Sequence, residues 1–192
     1  PLTVKIRSGW DDKNINAVEF AEMLQSEGVD GITVHPRTRS QRYEGKSKWS
    51  IIRDVVDKVS IPVTGNGDVE SYETAKKMMN FTNCKSVMVG RGAIGNPWIF
   101  NQIEYFLKHK KTMGSPSIAK FQEAILKHMS WVYEFYGKSI GVKIFRKHLN
   151  WYLPKSRDFT RSFNTLTTTK EQKQALISYL LDHNDSMRKK AA

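Results

Sequence analysis

Cysteine is nearly absent from this chain of 192 residues: Cys84 stands alone. A single thiol excludes an internal disulfide framework and any structural zinc site built from several cysteines. No other metal-ligand set is assigned. Long apolar runs are missing too; none approaches the roughly 18 residues a membrane-spanning helix needs. No basic stretch followed by an apolar one opens the sequence, so nothing suggests secretion. A cytoplasmic location without a membrane partner is expected. Acidic residues are scarce, 19 Asp+Glu against 31 Lys+Arg, for a formal net charge of +12.

That charge is unevenly spread. Residues 1–100 carry 14 Lys+Arg against 12 Asp+Glu, whereas residues 101–192 carry 17 against 7, a net of +10. A near-neutral half followed by a strongly basic one points to a polyanion partner for the second half, or to a basic surface that serves only solubility. Hydrophobic residues make up 39% of the chain, with five Trp and nine Phe, enough for a packed core.

Up to about Lys111 the pattern alternates strand and helix. "LTVKIR", "DGITVH", "IPVTG" and "KSVMVG" read as strands; "NAVEFAEMLQSEG", "WSIIRDVVDKV", "SYETAKKMMN" and "IFNQIEYFLKH" read as the helices after them. In the first helix Val18, Ala21, Met23 and Leu24 are expected inward, with Gly28 past its end. Four successive strand–helix units predict a parallel sheet, and the Val- and Ile-rich strands are expected to be covered on both faces. Beyond "KKTMGSPS" everything reads as helical. Phe121, Ile125, Met129 and Val132 fall at helical spacing before Gly137; Val142, Phe145, Leu149 and Tyr152 do so before Pro154. Thr168 three residues before Glu171 forms a capping box. The expected division is residues 1–112 and residues 113–192, with no internal repeat beyond the strand–helix alternation.

Chemistry collects where strands of an α/β barrel end. Those positions hold Lys5 and Arg7 on the first strand, His35, Arg37 and Arg39 after the second, Gly65, Asn66, Gly67 and Asp68 after the third, and Gly90, Arg91 and Gly92 after the fourth. Cations and amide donors dominate. A lysine inside a strand needs an anionic or electron-rich partner, and glycine corners let a backbone cradle an anion. Singly, "GNGD" is as readily a turn and His35 a satisfied core histidine. Together on one face, the four corners favour a phosphate-bearing ligand.

The stretches "VKIRSGWD", "GITVHPRTRSQRYEGKSKW", "IPVTGNGDV", "VMVGRGAIGNPWIF" and "FRKHLNWYL", in this order, resemble the tRNA-dihydrouridine synthases, most closely the bacterial B-type branch. The resemblance implies the C-terminal half of a flavin-bearing (β/α)8 TIM barrel, strands five to eight, followed by an all-helical tRNA-binding domain. It implies FMN-dependent reduction of the C5–C6 bond of uridine in tRNA, with NADPH as reductant. By resemblance Lys5 and His35 meet the flavin, while Asn66, Gly67, Asp68, Gly90 and Arg91 line its phosphate and ribityl chain. Arg37, Arg39 and Arg42 face the entering RNA, and Lys143, Arg146 and Lys147 contact tRNA from the helical part. Trp151 either stacks on a base or lies in the core.

No catalytic residue is assigned in this chain. The family's proton-donating cysteine is expected in the first half of the barrel, which these strands do not include. Cys84, between a helix and the strand it feeds, belongs at the opposite face. Activity of this chain by itself is therefore not expected, and partnership with the complementary half-barrel, or self-association through open sheet edges, is. The alternatives are a non-catalytic tRNA-binding remnant and another FMN-dependent barrel oxidoreductase.

Overall fold

The computed structural model describes residues 1–182; the basic tail "SMRKKAA", expected to fray, lies outside them. The first unit comprises Pro1–Ala93 and Ile99–Thr112. It runs β1 (Thr3–Arg7), α1 (Ala17–Ser26), β2 (Gly31–His35), α2 (Trp49–Val56), β3 (Val63–Asn66), α3 (Tyr72–Thr82), β4 (Ser86–Met88) and α4 (Ile99–His109), with a 3-10 turn at Arg91–Ala93. All strand pairs are parallel, in the order β1-β2-β3-β4. Each crossover helix returns the chain to the end of the sheet from which the previous strand started, as parallel pairing requires. Four of the eight strands that close a barrel are therefore present, as half of a (β/α)8 barrel with an all-helical region after it.

Local chemistry sets the boundaries. Ser71 Oγ accepts the Thr74 backbone N–H at 3.3 Å and Thr74 Oγ1 accepts that of Ser71 at 2.9 Å, a reciprocal cap at the start of α3. Asn83, left-handed at φ 56°, ends that helix. In α1 the buried stripe is Ala17 and Ala21, with Val18 and Leu24 packed at its flanks. Met23 is exposed rather than inward: two positions from Ala21 is about 200° around a helix.

The sheet has two unlike faces. Ile6, Ile32, Val34 and Val63 are buried with Ala21, Ile52, Val55, Ala75 and Met78 in one apolar core. The alternate positions are polar: Lys5, Thr33, Thr64 and Ser86 align in one row across the four strands. Thr64 and Ser86 hydroxyls share a hydrogen bond of 2.7 Å within it. The expectation of apolar cover on both faces is thus corrected. The strands read V-K-I-R, I-T-V-H and V-T-G-N, a period-two pattern whose polar half stays off the core.

The second unit gathers Ile94–Trp98 and the chain from Met113 onward. Ile94–Trp98 join it because Trp98 stacks on Phe121, ring centroids 5.8 Å apart, and Gly95, at φ 73°, lies so close to the Trp151 backbone that a β-carbon would collide with it. α5 (Ile118–Tyr152) breaks at Gly137, whose φ of 75° and ψ of 165° reverse the chain. Its two halves fold back on each other: Gly141 abuts Tyr133, His128 faces His148 at 4.6 Å between centroids, and Phe121 meets Tyr152 at 6.0 Å. α6 (Arg157–Phe163), which the sequence reading did not separate, and α7 (Thr169–Asp182) complete the unit. Phe145, Leu149, Phe163, Leu176 and Leu180 form its core with Ile125 and Met129. Thr168 and Glu171 make the reciprocal cap of α7, at 3.0 and 3.2 Å.

Against the expectation of no repeat beyond the strand–helix alternation, the hairpin contains one. Lys127-His128-Met129-Ser130-Trp131 recurs as Lys147-His148-Leu149-Asn150-Trp151. Buried, half-buried and exposed positions coincide throughout residues 123–131 and 143–151.

Candidate functional site

The carboxyl ends of the four strands enclose a cleft of about 310 Å³. β1 delivers Lys5 and Arg7, β2 delivers His35, β3 ends in Asn66, and the chain after β4 supplies Gly90 and Arg91. Alternation accounts for the selection: Lys5, Arg7, His35 and Asn66 all occupy polar-face positions of their strands.

Beneath the cleft lies a buried ion pair. Arg37, 2% exposed, donates from Nη2 to Asp68 at 2.9 Å and to the Gly45 carbonyl at 2.6 Å. Its Nη1 donates to Ser47 Oγ at 2.8 Å and its Nε to the Glu44 carbonyl at 3.2 Å. Arg37 was expected to face RNA; it is instead spent on its own protein, because Asp68, far along the chain, offers a carboxylate where the side chain can be desolvated. Asp68 also accepts the Ser47 backbone N–H at 2.8 Å. Burial works against its charge, but the Ser47 N–H and the Arg37 guanidinium outweigh that and hold its carboxyl below the usual range. Arg91 Nη2 approaches the same carboxylate at 3.5 Å.

The corner Asn66–Asp68 is pinned on every residue. Asn66 Nδ2 donates to the Met88 carbonyl at 2.8 Å, tying β3 to β4 and leaving the amide oxygen for a ligand. Gly67, at φ 121°, presents its carbonyl to Trp49 Nε1 at 3.0 Å, and a β-carbon there would collide with the Ser47 hydroxyl. Close packing against its own chain thus explains this glycine. Gly90 differs: open space surrounds the place a β-carbon would take, and its backbone is exposed beside Arg91.

His35 is buried, and its pKa falls to about 4, chiefly through desolvation and then through the charges of Lys5, Arg7 and Arg37. It is neutral at pH 7. Arg37 Nη1 stands 3.5 Å from Nε2 and can only donate, a contact that favours the tautomer with the ring proton on Nδ1. Partial desolvation, and then Arg7, lower the Lys5 ammonium from its ordinary value. Arg7 donates from Nη1 to the Thr38 and Arg42 carbonyls at 2.7 and 3.0 Å, clamping the loop after β2. Tyr43 in that loop lies under two guanidiniums, Arg91 at 4.8 Å and Arg7 at 5.7 Å from its ring centre. Tyr43, Ser47 and Trp49 were not singled out from sequence; an aromatic inside the cationic run "RSQRYEGK" was the available signal for the first.

Asp68 is matched by Arg37, and Lys5, Arg7 and Arg91 outnumber the one other acidic residue of the lining, Glu70, which leaves the cleft electropositive. With the exposed Gly90 backbone, these donors suit a phosphate ester carried on a larger ligand. Arg39 and Arg42 are exposed, the latter left-handed at φ 52°. Lys143 and Lys147 are exposed on α5, but Arg146 is half-buried and donates from Nη2 to the Leu166 carbonyl at 2.9 Å. Arg146, expected among the tRNA contacts, also braces its own unit, since its position on the helix turns toward the α6–α7 connection. Cys84 is buried on the helix side of the sheet, beside Met78 and under Gly65, away from the cleft-lining residues. Among the described residues, no helix is long and apolar enough to cross a membrane.

Four parallel strands with their crossover helices and a cationic cleft at the carboxyl ends are the arrangement of half a (β/α)8 barrel. The dihydrouridine synthase (Dus) family matches residues 1–184, and the chain belongs to that family. It is 41% identical over 189 residues to a probable tRNA-dihydrouridine synthase of Rickettsia typhi, covering 97% of this chain and 58% of that protein. It is 37% identical over 195 residues to tRNA-dihydrouridine synthase B of Pasteurella multocida, covering 98% and 59%. The chain therefore spans a little over half the length of these relatives.

Proposed function

We propose that this chain is the FMN-phosphate-binding and tRNA-binding portion of a tRNA-dihydrouridine synthase. FMN, when bound, supplies the reducing equivalent for the C5–C6 bond of uridine in tRNA, and NADPH restores it. The observation that carries the reading is the joint exposure of Arg91 and the Gly90 backbone at a cationic cleft whose floor is tied by the Arg37–Asp68 pair. Arg91 and the Gly90 N–H bind the phosphate. Asp68 acts by holding Arg91 in place, since a carboxylate would repel a phosphate. Lys5 offers its ammonium to the electron-rich end of the ligand, and neutral His35 offers Nδ1–H. Asn66 contributes its amide oxygen. Gly67 serves the site by allowing the corner to close on Ser47.

Arg39 and Arg42, with Lys143 and Lys147, meet tRNA phosphates. Proton delivery to C5 falls to a group outside this chain, because its one cysteine sits in the helix–sheet core. Accordingly the chain by itself binds FMN without reducing uridine. The complementary half-barrel is the preferred partner of the open sheet.

Titrating the chain with FMN and with riboflavin, which lacks the phosphate, tests the assignment. Replacing Arg91 with alanine should weaken FMN at least about tenfold, as loss of a charge-assisted hydrogen bond does, and leave riboflavin unaffected. Equal loss for both ligands, or none for either, overturns the placement of the phosphate.

A further inference from the structure

The repeated Lys-His-x-x-Trp segments of α5 create a feature that the cleft does not use. In an antiparallel hairpin with His128 against His148, a local two-fold axis between the rings relates residue 128+k to residue 148+k. It therefore carries Lys127 onto Lys147, Met129 onto Leu149 and Trp131 onto Trp151, in keeping with the matching burial of the two segments. Lys127 Nζ lies 5.1 Å from the Trp131 ring centre, and Lys147 Nζ lies 5.1 Å from that of Trp151. Both indoles reach solvent, Trp131 at 57% and Trp151 at 37%, the second being lower where Gly95 packs on its backbone. A rise of about 1.5 Å per residue and helices about 8–10 Å apart put the two tryptophan backbones roughly 12–14 Å from each other, on one face of the hairpin.

We propose that these two Lys–Trp pairs form a twin platform for unpaired RNA, each indole stacking one base and each lysine meeting a neighbouring phosphate. This deepens, and rests on, the reading of the second unit as RNA-binding. Stacking on a base is sequence-tolerant because every base has a π-face. Residues 113–182 carry 11 Lys+Arg against 5 Asp+Glu, a net of +6, which favours a polyanion over a neutral protein surface. The lysine over one face of each ring places its charge beside a base that stacks on the opposite face.

The test is fluorescence anisotropy of a short labelled oligouridylate with the 192-residue chain, across a salt series, against a duplex of equal length. Trp131→Leu should weaken the single strand about 5- to 150-fold and leave the salt slope unchanged. Trp131→Phe should restore most of that affinity. Lys127→Met and Lys147→Met should each reduce the salt slope by about 0.7. Duplex binding should not depend on Trp131. Because Trp131 is largely exposed, thermal melts of its variants should match the parent; the phenylalanine variant keeps the test decisive if the leucine variant melts early. Single-strand affinity unchanged in Trp131→Leu and in Trp151→Leu overturns the platform while leaving RNA binding by the unit intact. No RNA binding by the parent chain overturns both. Binding to anionic lipid vesicles that depends on Trp131, without a matching loss for RNA, also overturns the platform and reassigns the face to a membrane surface.

Discussion

Replacing Arg37 with methionine should destabilise the first unit by about 3 kcal/mol. Breaking a buried ion pair from one side costs about 3–5 kcal/mol, because the remaining charge stays desolvated. The lower end applies here: Asp68 is 27% exposed and keeps the Ser47 N–H. The other acceptors of Arg37 add little, since Glu44 and Gly45 lie in an exposed loop where water can replace the guanidinium. Methionine preserves most of the buried stem, so a large cavity does not confuse the result. For a chain of 192 residues the loss corresponds to a Tm lowered by roughly 6–12 °C. Urea unfolding followed by tryptophan fluorescence would measure it. The double variant with Asp68→Asn should lose less than the sum of the two singles, because the charges depend on each other. FMN affinity should fall as well, since the Asp68 that steadies Arg91 loses its own anchor. A Tm within a degree of the parent, combined with weakened tRNA binding, would refute this account and return Arg37 to the RNA-facing role that the resemblance implied.

Lowering the pH from about 6.5 to about 4 should destabilise the first unit through His35, whose folded-state pKa lies at about 4 against an ordinary 6.5. Over that window the unfolded chain binds the proton and the folded one does not, so stability falls with pH by at most about 1.4 kcal/mol per unit. His128 and His148, also lowered chiefly by burial, act with the same sign in the second unit, so the measurement is the difference in urea midpoints between the parent and His35→Asn; no change in slope on that substitution refutes the assignment. Lys143→Met with Lys147→Met should reduce the salt slope of tRNA binding by roughly 0.7–0.9 per lysine. Arg146→Met should instead lower the stability of the second unit by about 1–2 kcal/mol, through the lost bond to the Leu166 carbonyl; a changed salt slope with unchanged urea midpoint would make Arg146 an RNA contact after all. Cys84→Ala should leave FMN affinity unchanged, and the native thiol should react with a colorimetric thiol reagent only on unfolding, as its burial requires. Rapid labelling of the folded chain would contradict that burial.

The order of elements was legible because it is written in short-range chemistry: apolar strands, reciprocal caps at Ser71 and Thr168, and left-handed stops at Gly28 and Asn83. The faces of the sheet were legible as well, but in alternation rather than in composition. Counting Val and Ile in "VKIR" and "ITVH" suggests strands buried on both sides. Reading every second residue instead separates Ile6 and Val34, in the core, from Lys5, Arg7 and His35, at the cleft.

The strand-end corners announced themselves through glycine, asparagine and arginine, yet the roles of the individual cations were not readable. Arg37, Arg39 and Arg42 stand within one short basic run, and nothing local separates them. The separation is made by Asp68, 31 residues beyond Arg37, whose carboxylate accepts one arginine from beneath and approaches another from the cleft side. The first is 2% exposed and holds the floor; the second, Arg91, is 52% exposed and retains donors for a ligand. Because one carboxylate serves both, a change at the floor is transmitted to the rim. Arg37 should therefore influence phosphate affinity without touching the phosphate, and Arg91 should influence it without affecting the fold.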